Sequence, residues 1–325
     1  MGNWHVTGQN HVVRLLQGAI DRKHVAHAYL LVGPPGCGKS ATARNFAQTL
    51  NCEGTDPPCH ECRSCIRIAS GQDFNVREID VEKDHQKIAI ERVREIGHRV
   101  SLKSTDSKFK ITIVPRAELF SIQAADAFLK MLEEPPPNSL LILAAVARAS
   151  VPETLASRCI LIRMNIPTRQ AISDLLSDAG PIENSDRNLI LDYAEGRPRW
   201  ATEMASNSEM LDSFKARLTS ITDRLAGDAR SKFGMAEKVG NQRTAALTEL
   251  GLVAGYHGVV ARAFAAEAAG SDTERNRRFY GKWAVNLVRL RAGIDALSAN
   301  TMLASTLDDL FLDLEEIPDV RPIAT

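Results

Sequence analysis

AYLLVGPPGCGKS, residues 28–40, joins a short apolar run to a loop of fixed glycines. The run Ala28–Val32 has no helical period and ends at Gly33-Pro34-Pro35-Gly36, the signature of a strand buried on both faces. The loop GPPGCGKS (33–40) fits G-x-x-x-x-G-K-[ST], and the next segment, ATARNFAQTLN, reads as a helix. Strand, glycine loop and helix in that order form a phosphate cradle. Gly33 opens the loop, and Gly36 and Gly38 turn backbone N–H groups inward. Cys37 fills a free position, Lys39 reaches the β/γ oxygens, and Ser40 ligates Mg²⁺. The plainer alternative is a Gly/Pro-rich turn with no ligand.

Outward from the loop, strands alternate with helices. NHVVRLLQGAIDRKH (10–24) has helical spacing, VREI (76–79) reads as a strand, and HQKIAIERVREIGHRVS (85–101) as an amphipathic helix with Ile88, Ile90, Val93 and Ile96 on its core face. ITIV (111–114), LLILA (140–144) and CILIR (159–163) read as strands, with a helix over 121–134 stopped by Pro135-Pro136-Pro137. Such alternation predicts a parallel, helix-covered α/β sheet. It ends near Asn165-Ile166-Pro167. Helices over 169–180 and 185–196 follow, then Ala/Leu/Arg-rich helical text near 209–225, 242–268, 273–298 and 300–316. The expected fold class is α/β then all-α, in three domains at 1–165, 166–207 and 208–325.

The 325 residues carry 40 Lys+Arg against 40 Asp+Glu, a net charge of zero that excludes a generically basic nucleic-acid coat. The start MGNWHVTGQNHVV lacks a basic-then-apolar leader pattern, and no apolar run approaches the ~20 residues of a membrane span. A cytoplasmic protein without membrane contact is expected. Arg275, Arg277, Arg278, Arg289 and Arg291 form a basic stretch interrupted by Phe279, Tyr280 and Trp283. A solvated helix face with a packed aromatic side is the favoured reading there, with DNA contact the alternative.

Four of the six cysteines, Cys52, Cys59, Cys62 and Cys65, have the spacing C-x6-C-x2-C-x2-C. Such clusters read as metal ligands, and two residues between cysteines let both thiolates face one tetrahedral Zn²⁺. An iron–sulfur cluster is the rival, although those motifs carry a further Cys downstream, commonly before Pro, rather than upstream. With four protein ligands the site is closed and structural. Cys159 reads as a buried residue leading into a strand, and Glu133-Glu134 as solvent-facing.

The third strand decides whether bound nucleotide would be hydrolysed. P-loop ATPases keep an acidic residue at its end for the Mg²⁺ shell, often with a neighbouring Glu for the attacking water. Here ITIV is followed by Pro115-Arg116-Ala117-Glu118, so Glu118 is the nearest carboxylate, three residues out of register. ATP with Mg²⁺ is an expected ligand and efficient hydrolysis is not.

The segments VTGQ (6–9), HAYLLVGPPGCGKS (27–40), the four-cysteine knuckle, FLKMLEEPPP (128–137) and ASRC (156–159) together resemble the small AAA+ subunits of the bacterial clamp loader. Specific motifs cover the first ~205 residues. Within that family the chain is most similar to the delta-prime branch, because gamma/tau members keep an Asp-Glu pair at Pro115-Arg116. The resemblance implies an AAA+ domain, a helical lid and a helical collar in a hetero-oligomer. Its partners would be gamma/tau and delta subunits, with the sliding clamp and primed DNA reached through the complex. It also implies that Val6 and Gln9 border the adenine pocket, that Cys52, Cys59, Cys62 and Cys65 bind zinc, and that Arg158 acts in a neighbour's nucleotide site. Arg199, in Gly196-Arg197-Pro198-Arg199, matches a second γ-phosphate sensor. Two departures stand out: Ala144-Ala145-Val146 replaces a γ-phosphate-sensing Thr, and the first cysteine gap is shorter than usual. The rival readings are an active AAA+ motor (gamma/tau-like, or a Holliday-junction or helicase-loader relative) and a zinc-stabilised scaffold with a vestigial loop.

Overall fold

The computed structural model describes residues 4–82, 85–101, 109–225, 243–267 and 273–298, with Leu310 and Leu314. By packing, the chain divides into two compact units, residues 1–180 with 194–202 and residues 181–193 with 203–325. The expected helix over 300–316 lies almost wholly outside the described residues.

The first unit is built on a five-stranded parallel sheet of β1 (Ala28–Val32), β2 (Val76–Glu78), β3 (Lys110–Val114), β4 (Ser139–Ala145) and β5 (Ile160–Arg163), in the order β2-β3-β4-β1-β5. β1 sits between two neighbours, Leu30 lying opposite Leu143 on one side and Leu161 on the other. Side chains alternate across a strand, so a strand covered on both faces is apolar throughout. Tyr29 and Leu31 pack against Val12, Leu16 and Phe46, from α1 (Asn10–Asp21) and α2 (Lys39–Asn51). Leu30 and Val32 face the opposite core, with Val93 and Ile96 of α4 (Ile90–Ser101) and Phe128 and Leu132 of α5 (Ile122–Glu133). A bidentate pair, Arg44 Nε and Nη2 at 2.5 and 2.9 Å from the Glu78 carboxylate, fixes α2 to the end of β2. The short α3 (Arg63–Ala69) follows the cysteine knuckle, and α6 (Glu153–Ala156) precedes β5.

The helix expected from residue 85 begins only at Ile90. Ile88 instead donates its N–H to Leu119 O and accepts from Ser121 N–H, forming an isolated bridge to Phe120. Those backbone bonds take the groups a helix would have used. α7 (Arg169–Asp178) is capped by Thr168, whose hydroxyl accepts from Ala171 N–H. A helix not expected from the sequence, α9 (Pro198–Ser206), opens with proline at its first position.

The second unit contains α8 (Asn184–Tyr193), α10 (Ser208–Leu225), α11 (Arg243–Glu267) and α12 (Thr273–Ser298). Ile221, Leu250, Val253, Leu290 and Leu297 form its core. Phe279 packs with Val260 and Ala261, and Trp283 Nε1 donates to His257 O at 3.0 Å. Phe279 and Trp283 of the basic stretch are therefore packed, while Tyr280 is exposed. No helix among the described residues is long and apolar enough to cross a membrane.

Both ring nitrogens of His257 are buried without a hydrogen-bond partner, and burial pushes its pKa down to about 4. The folded chain keeps this ring neutral, whereas the unfolded chain takes up a proton near the ordinary value of about 6.5. Its contribution is thus intact above pH 6.5 and declines as pH falls towards 4, by about 3 kcal/mol. In a pH series of thermal melts, His257→Leu should lose less stability than wild type between pH 6.5 and 4. Equal losses would contradict this.

Candidate functional site

The turn from β1 into α2 forms the centre of the site. Gly36 and Gly38 have φ of +79° and +101°, left-handed values that glycine adopts at low cost and that turn successive N–H groups to one side. Gly38 is the N-cap of α2 and supplies no side-chain cap. A Cβ at Gly33 would lie 2.8 Å from Met164 O, and one at Gly36 would lie 2.5 Å from Arg197 Cγ, so neither position has room for a side chain.

The sequence-expected neighbours converge on this loop. Gly33 N–H donates to Ala145 O at 3.2 Å, joining the loop to the end of β4. Gln9 is fully buried; its Nε2 donates to Cys37 O at 3.1 Å and Asn165 O at 2.6 Å, and its Oε1 accepts from Asn165 N–H. Gln9 is thus a brace holding the loop against the end of β5, its amide already engaged. Val6 Cγ1 lies 3.8 Å from where a Cβ on Gly38 would stand. Cys37 is buried, which raises its thiol pKa. Lys39 Nζ donates to Gly33 O at 2.6 Å and Pro34 O at 2.8 Å, and Ser40 follows it in the first turn of α2. Burial lowers the Lys39 pKa, while the nearby Cys37 and Glu118 act in the opposite direction.

The arginines are arranged differently from the sequence expectation. Arg199 is exposed, whereas the stem of Arg197 lies across Gly36. The Arg197 guanidinium stacks 5.4 Å from the Trp200 ring and donates from Nε to Ala194 O. Spacing alone could not tell which arginine of Gly-Arg-Pro-Arg faces the loop. Arg116, which stands where gamma/tau members keep an acid, turns to Asp80, with Nε and Nη2 both 2.9 Å from Oδ1. Glu118 stands on a 3-10 turn, Ala117–Leu119, and one of its carboxylate oxygens is buried without a partner.

Arg158 follows α6. Its Nη2 lies 2.8 Å from Glu133 Oε1 and its Nη1 donates to Thr154 O at 3.0 Å; the paired side chains are 39 % and 46 % exposed. Cys159 beside it is buried enough that its thiol pKa rises to about 12, which leaves it inert as a nucleophile.

The four cysteine sulfurs lie within 4.8 Å of one another. Four bonds of about 2.3 Å in a tetrahedron hold sulfurs roughly 3.8 Å apart, so a small contraction suits one zinc ion. Sulfurs this close fit a single ion better than a multi-iron cluster. Backbone N–H groups already point at them: Gly54 and Cys59 to Cys52 Sγ, Cys62 to Cys59 Sγ, and Cys65 to Cys62 Sγ, at 3.3–3.5 Å. Burial raises the Cys62 thiol, but hydrogen bonds from Glu53 and Cys65 outweigh it and bring the pKa down to about 6. A Cβ at Gly54 would meet Cys59 at 2.9 Å, so the knuckle needs glycine there. Gln48 Nε2 donates to Cys65 O at 2.9 Å, and the His60 ring stacks 4.1 Å from that of His5.

Comparison with known proteins agrees with this geometry. The family described as DNA polymerase III, delta subunit, matches residues 8–168. The tau subunit of DNA polymerase III from Bacillus subtilis is 33 % identical over 227 residues, covering 68 % of this chain and 39 % of that protein. Over these residues the chain is similar to the DNA polymerase III delta-type and gamma/tau family. A DNA polymerase III gamma subunit from Buchnera aphidicola (subsp. Schizaphis graminum) is 30 % identical over 227 residues, 68 % of this chain and 62 % of that one. The matches thus span less than two thirds of these relatives' own length. A solved structure of a DNA polymerase III gamma subunit-related protein from Thermotoga maritima has the same fold, with a TM-score of 0.54 at 17 % identity, over 91 % of this chain and 97 % of that one. The family match covers the strands and the glycine loop. It also takes in the four thiols and Arg158.

Proposed function

We propose that this chain is a delta-prime-type subunit of a clamp loader. It binds ATP with Mg²⁺ at the 33–40 loop, hydrolyses it poorly, and lends Arg158 to the nucleotide held by a neighbouring subunit. In this reading residues 166–207 act as a lid and 208–325 as a collar in a hetero-oligomer with gamma/tau- and delta-type subunits. The sliding clamp and primed DNA are met through that assembly, and zinc holds the 52–65 knuckle. Lys39 would exchange the Gly33 and Pro34 carbonyls for phosphate oxygens, and Ser40 would join the Mg²⁺ shell.

One observation carries the reading: a well-formed phosphate loop shares its sheet with a third strand that has no acidic pair at its end. Pro115 and Arg116 fill those positions, and the following strand ends in Ala144 and Ala145, which offer no side-chain hydroxyl to a γ-phosphate. Among the described residues no carboxylate occupies those two positions, which supports poor hydrolysis.

A second reading, an active motor, is favoured by the names of the matched relatives, which are gamma and tau subunits. Purified chain separates the two. The expected result is ATP binding that Lys39→Ala weakens at least tenfold, with turnover about 100-fold or more below that of a gamma/tau subunit assayed alongside. Turnover matching the gamma/tau subunit would establish the motor reading. Equal binding by wild type and Lys39→Ala would favour the scaffold.

A further inference from the structure

The Glu118 carboxyl has an unusual setting. Oε2 is fully buried and accepts no hydrogen bond. Native proteins hold few such oxygens, because a buried carboxylate without a donor loses its hydration and gains nothing in return. Among the described residues, two cations that could answer it are engaged elsewhere. Arg116, two residues away, is held on Asp80. Lys39, close enough to interact electrostatically with Glu118, gives its ammonium to the loop carbonyls.

The turn bearing Glu118 is fixed in place. Leu119 N–H donates to Arg116 O, Leu119 O accepts from Ile88 N–H, and Ala117 is fully buried. It follows directly on the C-terminal end of β3, and in open parallel sheets ligands bind at that edge. A 3-10 turn rises only ~2.0 Å per residue against ~3.3 Å in a strand, so position 118 stays nearer the strand end than a count along an extended chain suggests. A carboxylate that is out of register by counting along a strand is kept near by the turn.

We propose that the Glu118 carboxylate turns, when a triphosphate occupies the 33–40 loop, to hold the accompanying Mg²⁺ through a water of its shell, in place of the missing strand-end acid. This rests on the nucleotide-binding reading above and deepens it. Ser40 and Glu118 would then share the metal, while Asp80 is engaged by Arg116. A single carboxylate serves the metal and none remains for an attacking water, so the site binds Mg²⁺–ATP without turning it over efficiently.

The test is equilibrium binding of a fluorescent ATP analogue to the full chain, with and without Mg²⁺. Wild type should bind at least tenfold more tightly with Mg²⁺. Glu118→Gln, nearly isosteric, should reduce that enhancement to twofold or less while its Mg²⁺-free affinity stays equal or rises. Glu118→Ala should behave like Glu118→Gln, and thermal melts of both should match wild type within a few degrees. Full Mg²⁺ enhancement in Glu118→Gln overturns the proposal. So does a wild type that binds through Lys39 with no response to Mg²⁺. Absence of wild-type binding under both conditions would instead overturn the nucleotide-binding reading, and this proposal with it.

Discussion

Arg158→Ala, in an assembly reconstituted with gamma/tau- and delta-type subunits, is expected to cut ATP turnover at the adjoining site by roughly 10³-fold or more. The guanidinium now contacts Glu133 and the Thr154 carbonyl. Both members of that ion pair are substantially exposed, and such pairs contribute about 0–1 kcal/mol. A planar, permanent cation on a phosphoryl group in transfer lowers the barrier by about 4–7 kcal/mol, since each tenfold in rate is ~1.36 kcal/mol. The exchange therefore favours the phosphate whenever a neighbour presents one. Arg158→Lys should recover little, because an ammonium lacks the two-pronged donor geometry. Glu133→Ala should leave turnover equal or higher. The check is clamp- and DNA-stimulated ATPase of each assembly at equal subunit composition; unchanged turnover in Arg158→Ala means Arg158 does not act in trans.

Metal removal is the second large effect. Structural zinc contributes on the order of 10 kcal/mol in small zinc modules at neutral pH. Here the knuckle lies between α2 and α3, and Cys62 caps α3 by accepting from Cys65 N–H. Chelation, or Cys59→Ser, is expected to unfold residues 52–69 locally and to undo the Gln48–Cys65 bond, while the sheet with its two apolar faces persists. Metal analysis should give one zinc per chain, and hydrogen exchange should lose protection over α3 on chelation. Cys59→Ser should weaken zinc binding by more than about 100-fold, exceeding what loss of an outer hydrogen bond does. Iron in place of zinc, or protection indifferent to chelation, would contradict the assignment.

The parts of the fold most legible in the sequence were those whose physics is local. β1 and β4 are buried on both faces, so their apolar runs carry no competing period, and the glycine loop between β1 and α2 admits few conformations. The cysteine spacing likewise reports its own geometry. What escaped depended on contacts distant in sequence. Ile88 is apolar at a helical position, yet its backbone pairs with Leu119 and Ser121, some thirty residues on. Where Arg116 turns is set by Asp80, just after β2 and 36 residues before it. Glu118 is displaced in a linear count, and only the 3-10 turn relates it to Lys39. Arg197 and Arg199 flank one proline, and only the folded chain shows that the Arg197 stem crosses the loop at Gly36.

The central claim is that this chain works on a neighbour's nucleotide more than on its own. Within one reconstituted assembly, Lys39→Ala and Arg158→Ala of this chain should therefore separate. The measurement is steady-state ATP turnover with clamp and primed DNA present. Turnover should stay within about twofold of wild type for Lys39→Ala and collapse at the adjoining site for Arg158→Ala. A collapse with Lys39→Ala and none with Arg158→Ala would contradict that claim.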